Sequence, residues 1–401
     1  MAARRILLAD ADAFYVSVAR LVDPEGAGKA SLLIVGGSTK QRGVVTSASY
    51  EARAFGVTSA MPMARAVRLC PDAMVVPVPF DACVAKGEEI RVVLERFTPV
   101  VERASSDEFY LDLSGTERLY KNEALADTAR RIRADVEAAT RLSVSIGGGT
   151  SKLVAKLAAG RAKPRAGVAG KAVVIVDPGR EEEFLRGFSL ADLPGVGPRF
   201  QEELARFGLR EVTDALSHDL KTLQAWLGER AGHWLHQRIR GLDDGVVDGS
   251  GGPKSISRDG TFPKDLNDAE SLDRELVSLA ARASTDLRAA GLTARTVTVR
   301  IKDADFTLRQ ASRTLPAPVL SDRAVLATAR ELLATLRKAR HVPARLLSVG
   351  LSQLVREGTP DQLTLFEAAP ASGETERDRT LSRMVDKIRD KFGPDAAGWG
   401  R

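Results

Sequence analysis

The residues best equipped for chemistry are acids that close short apolar runs. Asp10 and Asp12 follow Arg5-Ile-Leu-Leu-Ala9, and far along the chain Asp107 and Glu108 introduce Phe109–Leu113, with Asp112 near its end. Two buried strands with acids at neighbouring ends can gather Asp10, Asp107 and Glu108 at one sheet edge. Three converging carboxylates repel one another unless a divalent cation neutralises them. Hard oxygen donors select magnesium, which keeps positions free for water and phosphate oxygens. A pair of such ions about 3.5–4 Å apart would clamp the entering and leaving oxygens of a phosphoryl transfer. Acids also finish strands with no metal in sight, so the spacing alone supports either reading.

Other residues invite a chemical reading. Tyr50 and Arg53 would share one face of a helix. A guanidinium can chelate phosphate oxygens and a phenol can add a hydrogen bond, although both residues are equally ordinary on a surface. Gly147–Lys152, GGGTSK, lacks the G-x-x-x-x-G-K-[ST] order of a phosphate-binding loop. Its glycines are expected to make a tight strand-to-helix turn. His233 and His236 have no third ligand in the pattern and read as solvated or packed histidines. In Leu193-Pro-Gly-Val-Gly-Pro198, a helix-hairpin-helix pattern, Gly195 and Gly197 would let backbone N–H groups approach a phosphate at the start of the next helix. Such a contact carries no sequence information.

These residues need elements to hold them. Arg5–Ala9, Leu32–Val35, Val44-Val45, Phe109–Leu113 and Leu142–Ile146 read as short strands. Ala48–Phe55, Met63–Leu69, Glu89–Phe97, Leu125–Ala139 and Ser151–Arg161 read as helices. Strands alternating with helices indicate an α/β or α+β core up to about residue 165. Residues 166–240 are expected to be helical, with a break at Leu193–Pro198. Beyond the Gly- and Asp-rich stretch Gly241–Gly252, Ala294–Ile301 and Phe306–Arg313 alternate with period two and read as a hairpin. Val297, Val299 and Ile301 would face the core. Thr298, Arg300 and Lys302 would face outward, and Thr307, Arg309, Ala311 and Arg313 would share the outward face of the next strand. With helices at Leu276–Ala290 and Ala324–Ala339 and a strand at Leu346–Leu351, this makes a basic two-layer α/β domain. A polar tail follows from Arg356. It ends in a helix whose stripe of Leu381, Met384, Val385, Ile388 and Phe392 is expected to dock on the body or a partner. There is no internal repeat.

At 401 residues the chain should hold two to four domains. The net charge is +6, and Pro253–Val355, with 17 basic and 11 acidic residues, carries an excess of the same size. A basic surface concentrated in one domain suits a polyanion such as nucleic acid, or is simply an Arg-rich solvated surface. Aromatics are 5% of the chain and none falls on the alternating strand faces, so salt-sensitive, sequence-independent duplex binding is expected rather than base stacking. No apolar run approaches the ~20 residues of a membrane helix. The first residues lack the pattern of a secretory signal. The two cysteines, Cys70 and Cys83, are isolated, which fits a reducing cytoplasm and excludes a disulfide scaffold.

Taken in order, Asp10-Ala-Asp-Ala-Phe-Tyr15, Ala48-Ser-Tyr-Glu-Ala-Arg-Ala-Phe-Gly56, Ser106-Asp-Glu-Phe-Tyr-Leu-Asp112, Ala162-Lys-Pro164, Lys254-Ser-Ile-Ser-Arg258 and Ala304-Asp-Phe-Thr307 closely resemble the Y-family translesion DNA polymerases of the DinB type. The resemblance covers nearly the whole chain. It implies an α+β multidomain, right-hand polymerase: palm at 1–12 and 78–166, small fingers at 13–77, a helical thumb with its helix-hairpin-helix at 167–238, a linker at 239–252, an α/β little finger at 253–355, and a tail at 356–401. It implies template-directed addition of deoxynucleotides to a primer 3′ end by two-metal phosphoryl transfer, with error-prone bypass of damaged template and no proofreading. Ala11, Ala13 and Ser47 would leave a roomy site.

By the same resemblance Asp10, Asp107 and Glu108, with the carbonyl of Ala11, hold two Mg²⁺ ions, for which Mn²⁺ can substitute. Asp12 and Asp112 are supportive. Tyr15 is the steric gate that excludes a ribose 2′-hydroxyl, beside Phe14. Ser47, Tyr50, Arg53 and Lys163 grip the triphosphate, and Lys152 and Lys156 serve it or the DNA. Gly195, Gly197, Arg300, Lys302, Arg309 and Arg313 would contact DNA. Gln362, Leu363, Leu365 and Phe366 resemble the motif that docks bacterial polymerases on a sliding clamp. The implied partners are primer-template DNA, deoxynucleoside triphosphates and the clamp, for a monomer in the cytoplasm. One departure stands out: Ala19 and Arg20 occupy positions near which the family usually carries a Glu. The rival readings are a non-catalytic adaptor between clamp and DNA, and a two-metal nuclease.

Overall fold

Ile6–Ala11 forms the central strand, β1, buried at every residue. A continuous apolar run suits a strand covered on both faces. Alternate side chains serve the two layers: Leu7, Ala9 and Ala11 pack with Ile90, Ile132 and Val136, while Ile6 and Leu8 pack with Ala155 and Ala159. The computed structural model describes residues 3–164, 168–358, 374–393 and 396–397. They fall into two units, Met1–Gly251 and Gly252–Arg401. Among the described residues no helix is long and apolar enough to cross a membrane.

After β1 the first unit runs α1 (Phe14–Val22), β2 (Leu33–Gly36), β3 (Val45–Ala48), α2 (Tyr50–Ala54), α3 (Met63–Leu69), β4 (Met74–Val76) and α4 (Phe80–Leu94). It continues with β5 (Val101–Arg103), β6 (Glu108–Asp112), α5 (Leu125–Thr140), β7 (Val144–Gly149), α6 (Lys152–Ala162) and β8 (Val173–Ile175). The main sheet has the order β5-β6-β1-β7-β8, and β3-β2-β4 is a separate small sheet. The small sheet closes on its own core of Ile34, Val45, Ala48, Ala52 and Met63.

Three local expectations are corrected here. Helix α4 begins at Phe80 rather than Glu89; its first half shows little apolar periodicity and carries Gly87, which hides it from a reading by pattern. Gly147, Gly148 and Gly149 belong to β7 rather than to a turn. A Cβ on Gly147 would stand 2.0 Å from the Ala159 amide nitrogen and 2.2 Å from the Ala155 carbonyl, so the glycines let α6 lie directly against the strand. Residues 166–240 are not all helical, since β8 pairs in parallel with β7 and completes the main sheet. Helices follow at α7 (Glu181–Leu185), α8 (Pro198–Arg206), α9 (Val212–Leu216), α10 (Leu220–Leu227) and α11 (Glu229–Arg238). They close over Leu185, Leu193, Leu204, Val212, Leu223 and Leu235.

The second unit holds β9 (Ser255–Leu266), α12 (Ala269–Ala289), β10 (Leu292–Asp303), β11 (Leu308–Val319), α13 (Asp322–Ala339), β12 (Ala344–Arg356) and α14 (Glu376–Phe392). Its antiparallel sheet, β11-β10-β12-β9, packs one face on α12 and α13. Register overturns the outward placement of Arg309 and Arg313. Arg313, Ala311 and Arg309 pair with Val297, Val299 and Ile301, so they lie on the helix side. Arg309 bonds both oxygens of fully buried Asp303, at 2.9 and 2.8 Å, and Arg313 pairs with Glu331 of α13. Thr298, Arg300 and Lys302 keep the open face, joined by Leu308, Gln310 and Ser312. Exposed Phe306 lies at the hairpin tip, with Lys302 and Arg345 over its ring.

Helix α14 docks within this unit by its polar side. Arg288 of α12 bonds Asp386 at 2.6 and 2.8 Å and Asp322 at 2.7 Å, while the expected stripe residues Leu381, Met384, Ile388 and Phe392 remain exposed. The apolar stripe is therefore not what holds the helix.

Candidate active site

The site grows from pairing at the end of β1. Asp10 is the direct register partner of Glu108 on β6 and of Ser145 on β7. The Ala11 amide donates to the Asp107 carbonyl at 3.0 Å, which fixes Asp107 beside the pair. Asp10 points to the same side of β1 as Ile6 and Leu8, the side covered by α6. Burial raises its carboxyl from 3.8 to about 6, with Lys163 opposing and Glu108 and Asp107 adding to the rise. Its Oδ1 is buried and accepts no well-aligned hydrogen bond, with the Lys163 ammonium 2.7 Å away. Lys156 spans both Glu108 oxygens at 2.8 and 2.7 Å. Asp107 accepts from Ser105 Oγ at 2.7 Å and from Ser106 Oγ at 3.4 Å.

An all-oxygen set with one unsatisfied buried oxygen fits a hard divalent cation. As the side chains stand, no three His, Cys, Asp or Glu among the described residues are gathered closely enough to hold an ion. Glu108 and Asp10 are instead each paired with a lysine, and Asp107 accepts hydrogen bonds from serines.

Asp12 is built into the scaffold. Its oxygens accept from Ser143 Oγ at 2.9 Å and Ser145 Oγ at 2.8 Å, and burial raises its carboxyl above the ordinary value despite both bonds. Asp112 caps a turn through the Ser114 amide at 2.8 Å. Between Asp12 and α1 the chain turns sharply, with Ala13 in the left-handed region at φ 44°. That turn aims Tyr15 back at the acids. Its hydroxyl lies 2.9 Å from Ser106 Oγ, next to Asp107, and its ring meets buried Phe14 edge-on at 5.3 Å.

On the small sheet, Ser49 caps α2 and sets Tyr50 and Arg53 on one side of it. The Arg53 guanidinium lies 5.2 Å from the Tyr50 ring centre, and its Nε donates to the Ala48 carbonyl at 2.9 Å. Burial, with Asp12 and Asp10 nearby, pushes the Tyr50 hydroxyl up to about 12, so it stays a donor. Ser47 is buried within β3. Arg20, at the departure from the family pattern, donates to the Ala30 carbonyl at 2.9 Å and ties α1 to the following loop.

Gly195 has φ +101° and lies against Trp234, and Gly197 is the N-cap of α8. Among the described residues neither amide donates to any group. Gln362, Leu363, Leu365 and Phe366 lie outside the described residues. Ser106, Ser143 and Ser145 were missed from sequence, although the alternating serines of Leu142–Ile146 signal one polar edge of a buried strand. Glu102, the partner of Lys152 at 2.6 and 2.7 Å, was missed as well.

Residues 9–160 match the impB/mucB/samB family, residues 253–365 match that family's C-terminal domain, and residues 191–243 match the thumb domain of DNA polymerase-iota. A DNA polymerase IV of Caulobacter vibrioides is 36% identical over 98% of this chain and 92% of its own length. One from Dehalococcoides mccartyi is 34% identical over 100% of this chain and 98% of its own. Among solved structures, a Y-family DNA polymerase chimera of Dbh and Dpo4 has a TM-score of 0.78 at 22% identity, covering 88% of this chain and 100% of its own. An insertion ternary complex of Dbh DNA polymerase has a TM-score of 0.61 at 23% identity, with coverage of 88% and 100%. These two share the fold.

Proposed function

The chain belongs to the impB/mucB/samB family and is a DNA-directed DNA polymerase of the Y-family kind, and on that footing we propose where on it a primer 3′ end is extended: the sheet edge that carries Asp10, Asp107 and Glu108. Synthesis is template-directed and suits damaged template. The single observation that carries the site is the direct pairing of Asp10 with Glu108, with Asp107 locked beside them.

Such polymerases need divalent metal ions. We take these to be two Mg²⁺, replaceable by Mn²⁺, held by Asp10, Asp107, Glu108 and the Ala11 carbonyl. When bound, they supply the Lewis acidity that activates the primer hydroxyl and stabilises departing pyrophosphate. The chain's own groups do the rest. The Tyr15 ring lies under the sugar and leaves no room for a 2′-hydroxyl. Tyr50, Arg53 and Lys163 hold phosphate oxygens, with Ser47 behind them in the strand. The free amides of Gly195 and Gly197 receive a backbone phosphate, and Arg300 and Lys302 on the open sheet face follow the duplex.

In domain terms, the main sheet is the palm, the small sheet with α1 to α3 the fingers, α7 to α11 the thumb and the second unit the little finger with its tail. Gln362–Phe366 serves as a clamp-docking segment of a cytoplasmic monomer. Extension of a labelled primer by wild type and by Glu108→Ala, on intact and damaged templates, tests the reading. Lengthening by wild type alone is expected. Equal inactivity would mark an adaptor, and Mg²⁺-dependent shortening a nuclease.

A further inference from the structure

Helix α6 sets three ammonium groups over the acids of the main sheet. Lys152 holds Glu102, Lys156 holds both oxygens of Glu108, and Lys163, at the C-cap, holds Asp10. The helix backbone has no room to shift, because it lies against Gly147. The Lys156 stem has room: the side chain is 37% exposed. It also lines a groove with Gly160, Arg161, Asp192 and Pro194. That groove ends beside the hairpin whose Gly195 and Gly197 amides are free. One flexible point charge thus stands between a catalytic carboxylate and the path of a phosphate backbone.

We propose that Lys156 is a positioning residue that couples primer-template binding to assembly of the cation site. Without DNA its ammonium occupies both Glu108 oxygens. A backbone phosphate entering the groove competes for that ammonium and frees Glu108 to join Asp10 and Asp107. An ammonium bound to both oxygens repels a dication and competes with it for the same lone pairs, so drawing the ammonium away couples DNA and cation binding positively, and the coupling is reciprocal. Lys152 is excluded from this role because its partner Glu102 is not one of the three acids. The inference rests on the polymerase reading above.

The test is Mn²⁺ binding to the full chain, followed by the spectroscopic signal of the free ion. It is run with and without saturating duplex bearing a dideoxy-terminated primer, and with duplex alone subtracted. Wild type should bind Mn²⁺ about tenfold more tightly with duplex, and Mn²⁺ should tighten duplex binding by the same factor. Lys156→Met and Lys156→Gln should bind Mn²⁺ about tenfold more tightly than wild type without duplex, and should gain nothing from it. Unchanged duplex-free affinity in both variants, or coupling preserved in them, overturns the proposal. Extension of an unblocked primer by wild type at saturating Mg²⁺ separates the two readings. Extension without coupling rejects only the Lys156 role, whereas no extension rejects the polymerase site itself.

Discussion

Tyr15 owes its position to one left-handed residue, Ala13, and to one hydroxyl contact, with Ser106. Removing the ring should open the sugar pocket without disturbing the acids. Tyr15→Ala is expected to lower discrimination against ribonucleotides by roughly 10²-fold, the scale on which a pocket separates substrates differing by one hydroxyl. Single-nucleotide incorporation with paired deoxy- and ribonucleotides checks it. Asp10 makes a second prediction. Its carboxyl rises on folding from 3.8 to about 6, so the native state binds the proton more tightly than the unfolded one. The group therefore weakens the metal-free fold as pH climbs through that window, and the penalty is fully present at neutral pH. Asp10→Asn should stabilise the metal-free protein at pH 7 by about 2–3 kcal/mol, and by nothing below about pH 4. Urea unfolding in chelator across that range would reveal it.

At the scale of elements, the second unit separates two roles for arginine on adjacent strands. Arg300 is exposed on the open face, while Arg309 is spent on buried Asp303. Arg300→Ala should leave the melting temperature unchanged and reduce the salt dependence of duplex binding by about one phosphate contact. Arg309→Ala should destabilise by roughly 1–3 kcal/mol, since Arg340 still reaches Asp303 at 2.8 Å. Thermal melts and salt titrations of the two variants distinguish these outcomes. This pair also shows what sequence could and could not reveal. Alternation on Phe306–Arg313 was legible, but both of its faces mix polar and apolar residues, so only pairing with β10 decides which one meets the helices. β8 is three residues long and takes its place from β7, a non-local partner that no local pattern announces. β1 was legible because burial on both faces leaves a continuous apolar run ending at an acid. That Lys156 and Lys163 would pair with Glu108 and Asp10 was not, because their reach depends on how closely α6 lies on β7.

For the whole molecule, one unit, Met1–Gly251, holds Asp10, Tyr15, Arg53, Asp107 and Glu108, and the other, Gly252–Arg401, holds the sheet with Arg300 and Lys302 on its open face. Deleting Gln362–Phe366 should abolish stimulation by a sliding clamp and spare basal synthesis. Primer extension with and without clamp measures this, and intact stimulation would remove the segment from the docking role. The central strand carries a final consequence. β1 is laddered on both edges, and its side chains alternate between two packed layers. Adding a single codon ahead of Asp10 would, unless a bulge absorbed it, turn that carboxylate into the oily layer beneath Ile90 and Ile132 and shift the ladder on both neighbouring strands. Over evolutionary time, drift in length must therefore be confined to the connecting loops, leaving this six-residue ruler untouched.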